Sequence, residues 1–213
     1  AGDATTTADN NTAVGYASLG ANTTGAGNTG LGFQALEANT TATGNTSIGR
    51  SSMQGNTTGA SNVAVGMYSL YSNTTAASNT AVGYSALESN TTASKNTAVG
   101  YDVLKVNTTG AENVAVGFKA LDANTTASYN TAVGKSSLGA NTTGASNTAV
   151  GKEALMKNTT ASNNTAYGFQ ALLNNTTGTE NVAVGKGALQ ANTTSNNNTA
   201  VGTASLGDTT TGA

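Results

Sequence analysis

The sequence has no cysteine, histidine, proline or tryptophan. Without cysteine the chain can form no disulfide and perform no thiol chemistry. Without histidine it lacks the usual general base and a common zinc ligand. Charged residues make up 8% of the chain, against about 25% in an ordinary soluble domain. A composition this narrow is typical of low-complexity tracts and of repeat architectures.

The charge balance and the hydropathy pattern exclude two kinds of partner. The formal net charge is −2, so the chain has no overall basic footprint for nucleic acid or for an anionic membrane. No apolar run approaches the length of a membrane span. We therefore expect no nucleic-acid partner and no membrane insertion. The chain begins at Ala1 with no methionine and no apolar signal segment, which predicts a mature processed chain or an excised fragment.

Asparagine recurs every 17 residues from Asn11 to Asn198. Each position of this period is called a column and is named by its residue in the first coil, so that the Gly15 column is Gly15 and every 17th residue after it. The Gly15 column is glycine in all twelve coils, and the Leu19 column is leucine in eleven, with Met53 in the third. Residues 1–10 match the second half of a coil. We therefore expect one repeat domain over 1–213, with twelve coils from residue 11 and the last coil one residue short.

The repeat predicts strands. Glycine, asparagine and threonine are poor helix formers, whereas Asn-Thr-Ala-Val-Gly is typical of a short strand ended by a glycine turn. All eighteen charged residues fall in six of the seventeen columns. A disordered tract, the alternative, gives no reason for that restriction. The predicted fold is an all-β parallel solenoid, a β-roll or β-helix of twelve 17-residue coils.

The interior is expected to be thin. The Thr12 and Val14 columns are two residues apart, so they share one face of a strand. We expect the Val14 and Leu19 columns to line the core together with small residues of the Ala13 and Ser18 columns. The core residues predicted by name are Val14, Leu19, Leu36, Val82, Leu87, Val99 and Leu104. Ladders of stacked Asn and Thr side chains should add stability, and so should association into a homotrimer.

The repeats also resemble those of known surface fibres. Residues 79–87 read Asn-Thr-Ala-Val-Gly-Tyr-Ser-Ala-Leu and 90–92 read Asn-Thr-Thr. This pattern resembles repeats of bacteriophage tail fibres, and it is similar to the head repeats of trimeric autotransporter adhesins, which carry an Asn/Ser-x-Ala-Val/Ile-Gly signature. The resemblance covers essentially the whole chain, although this chain carries an extra Asn-Thr-Thr segment per coil. It implies a trimeric, left-handed parallel β-roll in a fibre that is extracellular, on a cell surface or on a virion.

The sequence offers little for catalysis. Glu37, Glu88 and Asp122 share the Gly20 column with Tyr71 and Lys105, so no column holds carboxylates regularly. The calcium-binding nonapeptide of other solenoids and the phosphate-binding loop are both missing. We therefore expect no enzyme, no metal site and no cofactor.

The Tyr16 column carries long side chains and becomes basic towards the C-terminal half. Its aromatic members are Tyr16, Phe33, Tyr84, Tyr101, Phe118 and Phe169. One interpretation is a strip that binds cell-surface glycans, because aromatic ring faces suit the apolar faces of sugars. The other is an amphipathic stripe covered by the next coil or by a neighbouring chain.

The Asn22 column contains eleven Asn-x-Thr sequons. They begin at Asn22, Asn39, Asn56, Asn73, Asn90, Asn107, Asn124, Asn141, Asn158, Asn175 and Asn192. Three interpretations stay open: an internal Asn ladder, a glycan-coated surface, or a flat array that orders water as in ice-binding solenoids. Strand alternation would place Asn22 and Thr24 on one face and Thr23 on the other.

The leading functional hypothesis is a non-catalytic fibre or filament subunit: a tail-fibre shaft, an adhesin stalk or a self-assembling filament. The expected partner is the chain itself, by end-to-end stacking or as a homotrimer, because a bare β edge is a template for another chain. The alternatives are a glycan-binding or surface-binding adhesin module that uses the Tyr16 column, and an ice-binding solenoid.

Overall fold

A computed structural model describes residues 1–4, 6–208 and 210. These residues form two compact units, Ala1–Thr109 and Gly110–Ala213. Strands and turns account for the regular structure of the described part, in which no helix occurs. The expectation of one domain over 1–213 stays a prediction.

Each unit contributes one strand per coil, and every strand is three residues long. Unit 1 contains β1 (Thr12–Val14), β2 (Thr29–Leu31), β3 (Thr46–Ile48), β4 (Val63–Val65), β5 (Thr80–Val82) and β6 (Thr97–Val99). Unit 2 contains β7 (Val114–Val116), β8 (Thr131–Val133), β9 (Thr148–Val150), β10 (Thr165–Tyr167), β11 (Val182–Val184) and β12 (Thr199–Val201).

Successive strands within a unit pair in parallel and in register. Thr80 lies opposite Thr97 and Val82 opposite Val99 in unit 1, and Thr131 lies opposite Thr148 in unit 2. The partners are 17 residues apart, so members of one column lie above one another. The predicted fold, an all-β parallel solenoid with 17-residue coils, is confirmed for each unit.

The Gly15 column ends each strand. Gly49 has a φ of 131°, and a Cβ at this position would lie 2.7 Å from the carbonyl carbon of Gly66 in the next coil. A side chain would therefore meet both a left-handed backbone conformation and the stacked chain. This double restriction accounts for the presence of glycine in every coil.

Three further columns per coil have a left-handed backbone, and most of their members are not glycine. Ser85 has a φ of 51°, Leu87 of 54° and Lys95 of 63°. Such a conformation costs an L-residue roughly 1–2 kcal/mol. It also directs the turn amides along the stack, since the Leu87 N–H donates to the Val103 carbonyl at 3.0 Å. Hydrogen bonds between coils thus hold a backbone that an isolated coil would avoid.

The core contains the predicted leucines but not the predicted valines. Leu19, Leu36, Leu87 and Leu104 are at most 1% exposed, as expected. Val14 is 53% exposed, and Val82 and Val99 are only half-buried. The prediction that Val14, Val82 and Val99 line the core is wrong.

The residues between these valines and the Thr12 column face the interior instead. Ala81 and Ala98 are fully buried. A Cβ on Gly30, in the same column, would lie 3.4 Å from the Leu19 side chain. The interior beside the strand is so narrow that only Ala, Gly or Ser fits, and the larger β-branched residues therefore lie outside.

Candidate functional site

The Asn22 column forms a ladder inside each unit. The Nδ2 of each Asn donates to the Oδ1 of the Asn one coil earlier, at 2.7–3.1 Å in unit 1 and at 2.9–3.0 Å in unit 2. All of these side chains are at most 1% exposed. The Oδ1 of Asn192 has no donor among the described residues, and Thr209 follows it in the column, outside the described part.

The Asn11 column, which sets the 17-residue period in the sequence, forms a second ladder. The backbone N–H of Asn28 donates to Asn11 Oδ1 at 2.8 Å, and that of Asn45 donates to Asn28 Oδ1 at 2.9 Å. In unit 2 the N–H of Asn130 donates to Asn113 Oδ1 at 2.9 Å. The invariance of this column was the available signal, because a buried polar position tolerates no residue that cannot replace its hydrogen bonds.

The two ladders meet at one carbonyl in each coil. The Ala42 carbonyl accepts from Asn28 Nδ2 at 2.8 Å and from Asn39 Nδ2 at 3.2 Å. In unit 2 the Gly144 carbonyl accepts from Asn130 and Asn141 in the same way, at 3.0 and 2.9 Å. The pair of asparagines thus closes the coil across its interior. Hydrogen-bonded amides fill this side of the interior, and leucine side chains fill the other side.

This burial decides between the interpretations of the sequons. The internal ladder is the arrangement found, because the Nδ2 atoms that would carry a glycan are buried and hydrogen-bonded. A glycan on the Asn22 column is therefore incompatible with the folded units. The shared face expected for Asn22 and Thr24 is also wrong, because Asn22 points inward while Thr24 is exposed. The segment is a turn, in which strand alternation does not apply.

The Thr23 column adds an outer ladder. The Thr57 hydroxyl and its backbone N–H both donate to the Thr74 carbonyl, at 3.0 and 2.9 Å. The Thr142 hydroxyl donates to the Thr159 carbonyl at 3.1 Å in unit 2. Serine could make the same coil-to-coil bond, but its side chain is less restricted in rotamer than that of threonine.

The Tyr16 column of unit 1 is a row of stacked rings on the surface. Tyr16 stacks on Phe33 with centroids 5.3 Å apart, and Tyr84 stacks on Tyr101 at 5.2 Å. The Arg50 guanidinium lies 6.0 Å from the centre of the Phe33 ring. These rings are 37–72% exposed, yet their faces lie against each other. Stacking therefore covers one face of each of these rings, and a sugar needs a free face.

The same column in unit 2 contains two phenylalanines and three lysines. The ammonium groups of Lys119 and Lys135 each lie 5.8 Å from the centre of the Phe118 ring. The Lys152 ammonium lies 5.4 Å from the centre of the Phe169 ring. Such cation–ring contacts are worth about 0.5–1 kcal/mol at exposed sites. The six predicted aromatic residues therefore lie in one column but in two different chemical surroundings.

Two charged groups have shifted pKa values. A hydrogen bond to Asp102 raises the pKa of Lys105, and the charges of Asp102 and Glu88 act in the same direction. The Lys105 ammonium lies 3.2 Å from Asp102 Oδ1. In unit 2 a hydrogen bond from Gln170 lowers the pKa of Glu153, with Lys152 acting in the same direction. Both are surface pairs, which contribute little to stability.

The Thr12 and Val14 columns form an exposed face on the sheet of each unit, called here the outer sheet face. No charged residue occurs in either column. Exposed members include Val63 at 37% and Val114 at 38%. The members of the face that are at least 37% exposed and apolar are Val14, Leu31, Val63, Val114, Tyr167 and Val201. A regular array of β-branched side chains at one per coil suits packing against a second sheet.

One shallow recess of about 340 Å³ lies in unit 1, with Glu37, Gln54 and Tyr71 in its wall. Glu37 accepts a hydrogen bond from Gln54 at 2.6 Å. The recess holds no paired nucleophile and base, which covalent catalysis requires. Among residues 1–4, 6–208 and 210, no three His, Cys, Asp or Glu side chains cluster as metal ligands would.

Within the same residues there is no helix of the length and hydropathy that crossing a membrane requires. Comparisons with models of known families, with curated proteins and with solved structures found no match.

Proposed function

We propose that this chain is a structural subunit of a fibre or filament. The observation that carries the proposal is the double Asn ladder, which is bonded from coil to coil in both units and is buried except at Asn11 and Asn198, which are half-buried. A buried amide with all its partners satisfied fixes one register, since a slipped coil would leave polar groups unpaired. The interior therefore serves to hold identical coils in line.

Hydrogen bonds between coils on several sides support a stiff element. In unit 1 the backbone N–H of Thr80 donates to Asn96, that of Leu87 to Val103 and that of Thr74 to Thr91, at 2.9–3.0 Å. These residues lie on the strand, on the leucine turn and on the threonine turn. Bending such a stack would lengthen hydrogen bonds on one side, and each of these three sides of the coil has such bonds.

We also propose that the outer sheet face is where the chain associates with copies of itself. An uncharged face of Thr and Val is costly to leave in water and packs well against a like face. Three residues by six strands gives about 10 by 29 Å per unit, or on the order of 290 Å². A stable interface buries about 800 Å² per partner, so association must also use the columns that flank this face.

The proposed location is extracellular, on a cell surface or on a virion, where fibres act. The supporting features are the sparse charge and the likeness of the repeats to tail-fibre and adhesin-head repeats. Recognition of neutral glycans by the Tyr16 column is not favoured, because the ring faces of unit 1 are stacked.

Electron microscopy and native mass spectrometry test the proposal. We expect filaments of uniform width or a defined homo-oligomer such as a trimer. Replacing Val82 and Val150 by Lys should disrupt the assembly by placing a charge on each outer sheet face. The matched control replaces Thr92 and Thr160 by Lys, since both are exposed but lie outside this face.

The control variant should assemble as the original chain does, and both variants should keep its circular dichroism spectrum. A chain that stays monomeric at every concentration would contradict the proposal. So would equal loss of assembly in the two variants.

A further inference from the structure

The Tyr16 column of unit 2 carries a row of positive charge that the structural role does not use. Lys135, Lys152 and Lys186 occupy this column, and Lys119 lies beside it in the next column. Lys135, Lys152 and Lys186 are exposed. These four residues are called the lysine stripe. Stacking needs none of them, because within the same unit the Tyr16 column accepts Thr203 and the Ala17 column, which contains Lys119, accepts Ser136.

Aromatic rings lie against three of the four lysines of the stripe. Phe118 lies against the ammonium groups of Lys119 and Lys135, and Phe169 lies against that of Lys152. A lysine held by a ring loses less freedom when it binds an anion, so less of the interaction energy goes into ordering the side chain. The register of the solenoid spaces neighbouring coils by about 4.8 Å.

Negative charge is nearly absent from the stripe. Glu153 is the single acid in its two columns within unit 2, so four lysines and one acid leave +3. Glu153 lies 3.4 Å from Lys152 and accepts a hydrogen bond from Gln170 at 2.7 Å. The other acids of the unit lie in other columns, and unit 2 is neutral as a whole, with five basic and five acidic residues. The positive charge is therefore confined to one line.

From this geometry we propose that the lysine stripe binds a linear anionic polysaccharide, one with a carboxylate or sulfate on successive sugars. Lysines in three successive coils, with a fourth two coils further on, complement a chain whose negative groups recur at a similar, regular interval. The stripe is narrow, so it contacts one extended strand. The proposal is independent of self-association through the outer sheet face.

Nucleic acid fits the same stripe less well. Phosphates recur about every 3.4 Å along one strand, which is out of step with the coils. Binding of single strands normally uses aromatic faces for base stacking, but the recorded contacts place ammonium groups over the rings of Phe118 and Phe169. Duplex binding commonly neutralises about 6–10 phosphates, more than four lysines in one line can reach.

The test uses the full chain and polygalacturonate, which has one carboxylate per sugar. Fully methyl-esterified polygalacturonate has the same backbone without the charge and serves as the matched ligand control. A DNA duplex is the third ligand. Affinity is measured by biolayer interferometry at about 50 and about 200 mM salt, where four cation contacts predict a loss on the order of tens of fold.

The variant K135Q/K186Q should bind polygalacturonate at least about tenfold more weakly and with a shallower salt dependence. The control variant K95Q/K157Q removes the same charge from other columns and should bind as the original chain does. Circular dichroism checks that both variants fold.

Three outcomes would overturn the proposal. The first is no affinity for polygalacturonate at low salt, and the second is equal affinity for the esterified polymer. The third is an equal loss of affinity in both variants, which would show that binding depends on the net charge of the chain and not on the lysine stripe. Tighter binding to the duplex than to polygalacturonate would show that the stripe binds nucleic acid and not a polysaccharide.

Discussion

Units 1 and 2 share the same interior and differ at the surface. Both contain the buried leucine column and both Asn ladders. In the Tyr16 column, unit 1 has stacked rings and one arginine, whereas unit 2 has two phenylalanines among lysines. Unit 1 carries three basic and five acidic residues, which gives −2, and unit 2 carries five of each, which gives zero.

The difference shows at which positions the stacking of coils restricts the choice of residue. A column that faces the interior or the next backbone meets its own copy above and below, so a change in one coil must suit two neighbours. A side chain in the Tyr16 column projects from a turn and is exposed or half-buried, so it has room to differ from its neighbours. Recognition can therefore diverge between the units while their shared scaffold stays the same.

The largest expected effect concerns the Gly15 column. We expect Gly49→Ala in unit 1 and Gly117→Ala in unit 2 to lower the free energy of unfolding equally, by about 3–5 kcal/mol. Each Cβ would lie 2.7 Å from a carbonyl carbon of the next coil, at φ values of 131° and 133°. Urea denaturation followed by circular dichroism gives the difference.

The control for this pair is Gly44→Ser. Gly44 also has a positive φ of 68°, but the nearest atom to an added Cβ is 3.9 Å away, and Ser61 occupies the same column. A cost of about 1 kcal/mol is expected. A cost for Gly44→Ser equal to that of the other two would show that backbone conformation matters and that the close approach does not.

The next effect separates the core from the outer sheet face. Leu87→Ala and Leu155→Ala should each cost about 3 kcal/mol, because both side chains are fully buried. Val82→Ala and Val150→Ala should each cost under about 1 kcal/mol in the monomer, since both are half-buried. The same unfolding assay checks them. Valine variants as damaging as the leucine variants would restore the original prediction of a valine core.

The Asn22 ladder should be equally important in the two units. Asn73→Ala and Asn158→Ala each leave the buried Oδ1 of the asparagine one coil earlier without its donor, and each removes one of the two acceptors of the Nδ2 one coil later. We expect a loss of about 2 kcal/mol in the free energy of unfolding for each, measured by urea denaturation. A loss in one unit only would mean that the ladders are not equivalent.

Intact mass spectrometry supplies a second check on this ladder. After expression in a glycosylating host, the folded chain should carry no glycan on the Asn22 column, because its Nδ2 atoms are buried. Attachment at several of these positions in a chain with native circular dichroism would contradict the buried ladder.

The smallest effect is the dependence of stability on pH, and it has opposite signs in the two units. The raised pKa of Lys105 stabilises unit 1 fully below the ordinary lysine value of 10.5, and this contribution is lost as pH rises through the higher folded value. The lowered pKa of Glu153 stabilises unit 2 above the ordinary value of 4.5, and this contribution is lost as pH falls through the lower folded value.

Comparing variants with the original chain isolates the two groups. Lys105→Met should flatten the alkaline side of the curve of unfolding midpoint against pH, and Glu153→Gln should flatten the acid side. Both effects should be small because the groups are exposed. A variant that alters the opposite side would contradict the assigned pKa shift.

Much of the fold followed from spacing alone. The 17-residue period predicted in-register stacking, and the charge-free columns predicted that most of Asn11–Gly15, Leu19 and Asn22 would be protected. The assignment of faces was wrong for Val14 because alternation tells which residues share a side but not which side is inside. Hydrophobicity alone predicted that valine would face the interior, whereas the narrow space beside the strand admits alanine.

The candidate surfaces were only partly predictable. The members of the Tyr16 column could be named from the sequence, but stacking of Tyr84 on Tyr101 and the position of Lys135 over Phe118 needed coordinates. The role of the Asn11 column was missed because a conserved-looking Asn in a repeat also marks turns. Its hydrogen bonds run to a carbonyl fourteen residues away, beyond any local pattern.

The sequence by itself determined that like residues stack, because a constant period places each residue beside its copies. Only the tertiary structure decided what lies inside. In the fifth coil the leucine of the left-handed turn, Leu87, is buried together with Asn79 and Asn90, and the remaining width admits only a small side chain at Ala81. Turn conformation depends on contacts between coils, and those contacts exist only once the chain has folded.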